Sequence, residues 1–253
     1  MAWVIDCGNT RTRLARLGPT GFTGMASFPS TPAGVATFLP LFLERLQSRM
    51  PPDAALPAIG LSCVVPHLAE PITAIAGEFG EVIQARPAVS GKLTIRYQPP
   101  ASLGPDRLAN GVAAYARYGS PCIIVDIGTA LTMDALSRSG EFLGGVIFPG
   151  PAAAEAALLQ STAAVRPGSR TRAELIGTST AAGIQAGTAY GYPALIEGLI
   201  DRFQARLGEE AAAVLTGGGV WALAEWPRQT LYDPYLTLHG IAAMARQGLE
   251  SAG

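Results

Sequence analysis

The chain has 253 residues, 49% of them hydrophobic and 15% charged, with a formal net charge of -1 and a pI near 6.1. That length supplies a core for one large domain or two of roughly 120 residues. The balanced charge excludes a nucleic-acid binder working through bulk electrostatics, because neutralising phosphates needs a basic surface.

Mean hydropathy is +0.28, which raises the question of a membrane. The two most apolar stretches, Pro121 to Met133 and Ala211 to Leu223, are interrupted by Asp126 and by Gly217-Gly218-Gly219. The second also falls short of the roughly 20 residues of a spanning helix. Residues Met1 to Asp6 carry neither a basic leader nor a long apolar region, so no signal peptide is read. The expectation is a soluble, cytoplasmic protein with no membrane or nucleic-acid partner.

In chain order, the apolar run Ala2 to Ile5 enters Asp6-Cys7-Gly8-Asn9-Thr10, followed by the alternating stretch Arg11 to Leu17 and, after Gly18-Pro19, by Gly21 to Phe28. This pattern predicts an antiparallel meander of three strands. Pro32 to Met50 has helical spacing, with Val35, Phe38, Leu39, Phe42, Leu43 and Leu46 on one face. A strand at Ala58 to Val64 and a further helix and strand to Gln84 close the first half.

After Pro99-Pro100 the same order returns. Asp106 to Tyr118 reads as a helix, Cys122 to Val125 as a strand entering Asp126-Ile127-Gly128-Thr129, and Leu131 to Ser137 and Glu141 to Phe148 as the next two strands. Ala152 to Leu159 reads as a helix. A long helical region from about Ser179 to Leu207 is expected to bend or break near Pro193, where the chain lacks a backbone donor. Ala213 to Leu215 is a strand ending in Thr216-Gly217-Gly218-Gly219, and a helix begins at Leu236.

Few residue types can do chemistry outside the turns. Cys7, Cys63 and Cys122 are far apart and odd in number. They form no disulfide framework or Cys-x-x-Cys site, and each reads as a small buried hydrophobe. His67 and His239 carry no motif, and Lys92 is the only lysine. Without a Gly-x-x-x-x-Gly-Lys-Ser/Thr loop, any nucleotide phosphates must be held another way.

The two Asp-x-Gly turns offer that way. Gly8 and Gly128 admit phosphate close to the backbone, and their amides can donate to its oxygens. Thr10 and Thr129 add hydroxyls, and Asp6 is placed to hold magnesium directly or through water. Each turn alone is equally a tight hairpin, where Asp and Gly are favoured. Their recurrence at equivalent places in a duplicated unit favours phosphate. The Thr216 glycine cluster is either an ordinary strand-to-helix turn or a surface for a base or anion.

Duplication of strand, Asp-x-Gly turn, strand, strand and helix resembles the plan of the actin-like and sugar-kinase-like ATPases. Within that group, several motifs together resemble the type III pantothenate kinases. They are Gly104-Pro105-Asp106-Arg107, Asp126-Ile127-Gly128-Thr129-Ala130-Leu131-Thr132-Met133-Asp134, Gly144-Gly145-Val146-Ile147-Phe148-Pro149-Gly150, Gly177-Thr178-Ser179-Thr180 and Thr216-Gly217-Gly218. The resemblance runs in order over essentially the whole chain.

The resemblance implies an α/β fold of two duplicated ribonuclease H-like domains, residues 1–102 and 103–253. Each would hold a mixed five-stranded sheet flanked by helices, with an ATP cleft between them. It implies phosphorylation of pantothenate by ATP with magnesium, the first step of coenzyme A synthesis, in a homodimer with a shared active site. Asp106 would be the general base, although a carboxylate there also suits a helix N-terminus. ATP would be held by Asp6, Cys7, Gly8, Asn9, Thr10, Arg11, Thr12, Arg13 and Thr129. Pantothenate would be held by Tyr97, Gly104, Pro105, Asp106, Arg107 and Thr180, the last from across the dimer. Asp126 would bind a monovalent cation, potassium or ammonium. Tyr97 also fits a partly buried strand aromatic, Thr180 a helix N-cap, and Asp134 a structural role. Another small-alcohol or sugar kinase, or a non-enzymatic ATP-binding regulator, is the alternative function.

Overall fold

The computed structural model describes residues 2–51, 56–161, 173–208 and 210–252. The chain forms two compact units, one of residues 1–117 with 235–253 and one of residues 118–234. Both are α/β, each with a mixed sheet and helices packed against it.

In the first unit, β1 (Ala2–Cys7), β2 (Arg11–Gly18) and β3 (Gly21–Pro29) form the expected meander. Next come α1 (Pro32–Gln47), β4 (Ala58–Cys63), α2 (Pro66–Gly77), β5 (Glu81–Gln84), a two-residue strand β6 (Thr94–Ile95) and α3 (Pro105–Tyr118). The sheet order is β3-β2-β1-β4-β5, with β4 parallel to both β1 and β5. Every residue of β1 is buried, as expected of a central strand covered on both faces.

On one face, Trp3, Ile5 and Cys7 pack with Val35, Leu39, Leu43 and Leu46 of α1 and Leu68 and Ile72 of α2. Each fully buried large aliphatic side chain contributes on the order of 1.5–3 kcal/mol. Thr31 starts α1 by accepting the Gly34 N–H at 3.0 Å, with Pro32 in the first turn, a favoured combination. The other face of β1 and β4 is covered by the last helix, α6 (Leu236–Ala252). A Cβ on Gly60 would lie 2.7 Å from the Ile241 side chain, and one on Gly240 would lie 1.8 Å from the Ala109 carbonyl. Glycine at these two positions therefore lets α6 sit close to both β4 and α3.

The second unit holds β7 (Cys122–Ile127), β8 (Ala130–Leu136), β9 (Glu141–Pro149), α4 (Pro151–Ser161), α5 (Thr180–Leu207), β10 (Ala212–Thr216) and β11 (Thr230–Tyr232). Its strands run in the order β11-β10-β7-β8-β9. Strand β7 is antiparallel to β8 and parallel to β10, the same arrangement as β1 with β2 and β4. Ile123, Val125, Ile127, Met133 and Leu215 pack with Ile196 and Ile200 of α5.

Two expectations change. The units do not divide at residue 102, because α3 and α6 both belong with the first sheet. Of the bend or break expected at Pro193, a break does not occur, since α5 is continuous from Thr180 to Leu207. Proline there cannot donate to the Ala189 carbonyl, but the Ala224 N–H donates to that oxygen at 2.9 Å, so the helix loses one bond without leaving a buried acceptor unmet.

Gly240→Val would push a side chain into the Ala109 backbone and should destabilise the protein by about 1–3 kcal/mol, the usual range for overpacking. Gly77→Ala, where a Cβ meets nothing within 4 Å, should leave stability unchanged or slightly raised. Urea unfolding midpoints of the two variants test the difference.

Candidate active site

The end of β1 places Asp6 5% exposed on the face covered by α6. Its register partners are Arg13 on β2 and Ser62 on β4. Arg13 donates twice to Asp6 Oδ2, from Nε at 3.0 Å and from Nη2. A buried carboxylate needs such a partner, since desolvation of an uncompensated charge costs several kcal/mol.

The turn that follows is closed by Gly8 N–H donating to the Arg11 carbonyl at 3.1 Å and by Ser30 N–H donating to the Thr10 carbonyl at 3.1 Å. Asn9, Thr10 and Arg11 are exposed, and Gly8 is half-buried. Arg11 is drawn sideways, its Nε and Nη2 donating to the Ser27 hydroxyl and carbonyl at 2.8 Å each. Cys7 and Thr12 point inward. Thr12 is fully buried, and its hydroxyl shares a 2.9 Å hydrogen bond with Ser30. Of the expected ATP ligands on this turn, Gly8 to Arg11 face solvent, while the side chains of Cys7 and Thr12 serve the fold.

Helix α3 begins at the Gly-Pro-Asp-Arg motif. The Leu108 N–H donates to the Gly104 carbonyl at 2.9 Å and the Arg107 N–H to Asp106 Oδ1 at 2.8 Å. Pro105 fits the first helical position, where its missing donor is not needed. A Cβ on Gly104 would stand 2.7 Å from Asp106 Oδ1, so glycine leaves room for that carboxylate. Arg107 is buried, its guanidinium 5.1 Å from the centroid of the Tyr97 ring and its Nη1 donating to the Tyr97 hydroxyl at 3.3 Å. The structure thus brings Tyr97, Gly104, Asp106 and Arg107 together.

Burial holds the Asp106 carboxyl above its ordinary range. The Arg107 backbone N–H opposes this, the Asp6 charge reinforces it, and the Arg107 guanidinium opposes it. The Cys7 thiol is lowered to about 6, chiefly by a hydrogen bond with Cys63 and also by Thr12 and Ser30, against burial; the same bond raises Cys63. No feature of the sequence indicated that these two cysteines meet.

In the second unit, Asp126 is the penultimate residue of β7, beside Thr216 of β10. The turn is closed by Gly128 N–H donating to the Ala130 carbonyl and by Gly150 N–H donating to the Thr129 carbonyl, both at 2.8 Å. Gly128 and Thr129 are exposed. Gly217 has φ +94°, and a Cβ there would lie 2.4 Å from the Ile127 carbonyl and 2.5 Å from Asp126 Oδ1. The glycine cluster is therefore packed on the Asp126 turn, which explains why β10 ends there in glycine. Asp134 is buried within β8, consistent with a structural part.

Thr180 is the exposed first residue of α5, and the cap is Ser179, whose hydroxyl accepts the Ala182 N–H at 3.2 Å. The N-cap reading of Thr180 is thereby removed. Among the other singled-out residues, His239 packs its ring 4.8 Å from Phe22, and Lys92 lines a cavity of about 230 Å³ with Val112, Tyr115 and Gln247. Neither residue joins the Asp106 cluster.

Among solved structures, a conserved putative Baf family transcriptional activator from Campylobacter jejuni superposes with a TM-score of 0.62, at 20% identity over 98% of this chain and 99% of that one. MreB 5 of Spiroplasma citri bound to AMPPNP superposes with a TM-score of 0.57, at 12% identity over 99% and 98% of the two chains. The chain thus shares its overall α/β fold with both of these proteins.

Sequence likeness is closer. The type III pantothenate kinase profile matches residues 3–202. A type III pantothenate kinase of Moorella thermoacetica is 41% identical over 190 residues, covering 72% of this chain and 73% of its own. The chain belongs to the type III pantothenate kinase family.

Because the Asp6 charge adds to burial in raising Asp106, Asp6→Asn should lower the Asp106 titration midpoint. Carboxyl-selective NMR titration reads it, and an unmoved midpoint would exclude charge coupling between the two.

Proposed function

We propose that the chain transfers the γ-phosphoryl group of ATP to the primary hydroxyl of pantothenate, giving 4'-phosphopantothenate in the first step of coenzyme A synthesis. The observation that carries this reading is Asp106, a carboxylate made more basic by burial and by Asp6, next to an Arg107 already positioned by Tyr97. Asp106 accepts the hydroxyl proton as the alcohol attacks in line, and a base of raised pKa suits that task near neutral pH. Arg107 offers a planar donor fork to the pantothenate carboxylate. Gly104, Pro105, Tyr97 and Thr180 complete the substrate contacts. The half-buried Gly8 and the exposed Asn9, Thr10, Arg11 and Thr129 are the nucleotide contacts, with Arg13 acting through Asp6.

The donor atoms suit the expected ions. Asp6 presents hard oxygen, and because Arg13 already occupies Oδ2 a contact with magnesium through water fits better than direct ligation. Among the described residues no group of three or more His, Cys, Asp or Glu assembles, so phosphates and water would complete the shell, as magnesium prefers. Bound magnesium supplies charge neutralisation at the phosphate oxygens. Asp126, a hard-oxygen carboxylate at the second turn, is the ligand assigned to potassium or ammonium, with the Gly217 backbone packed against it.

The matching strand order of the two sheets supports duplicated ribonuclease H-like domains. Dimerisation is supported by α5, where Gly183, Gly187 and Gly191 recur every fourth residue on an exposed face and a Cβ on each would meet nothing within 4 Å. A partner helix could approach closely there. Exposed Leu175 and Ile176 lie just before Thr180, consistent with a pocket that only the dimer completes. No helix among the described residues is long and apolar enough to cross a membrane.

Pantothenate-dependent ADP release, measured with and without potassium, tests substrate and cation together; turnover of a sugar but not of pantothenate would overturn the reading. Asp106→Asn should reduce kcat by about 10²–10⁴-fold, the usual worth of a general base, with ATP binding by calorimetry nearly unchanged. Undiminished turnover would remove Asp106 from that role. Gly187→Leu should shift the protein from dimer to monomer in sedimentation and lower activity, and an unchanged dimer would show that α5 is not the interface.

A further inference from the structure

Cys7 and Cys63 lie 56 positions apart in the chain, yet they are register partners at the ends of the adjacent parallel strands β1 and β4. Neighbouring strands run about 4.8 Å apart, and a disulfide spans Cα separations of about 4.4–6.8 Å. Register partners project to the same face, so the two cysteine side chains stand side by side at the ends of the strands. The strand ends are joined by the Val64 N–H donating to the Cys7 carbonyl at 3.0 Å. Cys7 is fully buried and Cys63 partly exposed. The third cysteine, Cys122, is buried in the second unit and has no part in the pair.

The position of the pair gives it a consequence. Cys7 separates Asp6 from Gly8, so it is the root of the first phosphate turn. Its sulfur contacts the Ser30 hydroxyl at 3.9 Å, and the Ser30 N–H in turn holds the Thr10 carbonyl. Drawing the Cys7 sulfur onto Cys63 would withdraw it from Ser30 and disturb the bonds that shape Gly8 to Thr10.

We propose that Cys7 and Cys63 are a reversible oxidation site, and that closing it to a disulfide weakens ATP binding at the first turn. The oxidant is a hydroperoxide. The partly exposed Cys63, once deprotonated to its thiolate, attacks one peroxide oxygen; the O–O bond breaks and the hydroxide released takes up that proton, so a sulfenic acid and one water form. The Cys7 sulfur then attacks the Cys63 sulfur, displacing the hydroxyl as a second water with the Cys7 proton. Two thiols are oxidised to one disulfide, and one hydrogen peroxide is reduced to two waters. A dithiol reductant reverses the reaction by exchange.

The effect on ATP rests on the nucleotide assignment above, whereas the bond itself does not, so each is measured separately. The full-length protein is treated with hydrogen peroxide, its free thiols are counted after denaturation, and its peptides are mapped by mass spectrometry. The expected result is a fall from three thiols to one, with a Cys7–Cys63 linked peptide. In parallel, KM for ATP should rise about tenfold or more, since a misplacement of about 1 Å can cost ~10²-fold, and dithiothreitol should restore it. Cys63→Ser should keep basal turnover and lose the peroxide response. Three thiols persisting, or a Cys63→Ser protein inactivated like the parent, would overturn the inference and leave the kinase reading untouched. A linked peptide with an unchanged KM for ATP would overturn the effect on binding and count against the nucleotide assignment of the first turn.

Discussion

Asp6 is a carboxylate near the end of a strand that is buried along its whole length, and the first unit is organised around answering that charge. Arg13 reaches across from β2 to hold it, which only the antiparallel register of β1 and β2 permits. Asp6 in turn raises Asp106 electrostatically. A neutral side chain at the same position would fill the space more cheaply, but it would remove the anchor for Arg13 and the field felt by the proposed base. Buried charge of this kind stabilises little by itself, which points to chemistry as its reason.

The helix carrying Asp106 inherits its precision from packing that lies away from it. Helix α6, the last element of the chain, is clamped between β4 and α3 through the close approaches at Gly60 and Gly240. The C-terminal segment therefore fixes α3 against the sheet that ends in Asp6. Residues about 130 positions apart in sequence are brought into one unit this way. A division of the chain at the proline pair would have separated Asp106, the proposed base, from Asp6.

The second unit repeats the strand order with a different chemical outcome at the turn. In the first unit the aspartate is paired with arginine; in the second, Asp126 shares its surroundings with the Ile127 carbonyl and the bare backbone of Gly217. One arrangement sets an arginine against the carboxylate, and the other packs glycine backbone against it. Equivalent positions in the same topology can thus be given unequal roles by the residues beside them.

Strand, turn and helix positions were legible in the sequence because their signals are local. Alternation, an Asp-x-Gly turn, or Pro32 after Thr31 acts within a few residues, and the predicted elements match the observed ones closely, β6 and β11 excepted as strands of two and three residues. The motifs around Asp106 and Asp126 were legible for the same reason, and together they marked the family. Sequence alone also determined which chemistry was absent, with one lysine and no phosphate-binding Walker loop. Tertiary structure alone decided the rest. It paired Asp6 with Arg13, turned Thr12 inward to Ser30, kept α5 whole through Pro193, placed α6 with the first sheet and set Cys7 beside Cys63. Each of these depends on which strands become neighbours and in what register, and that is settled by packing the whole core rather than by any short stretch of chain.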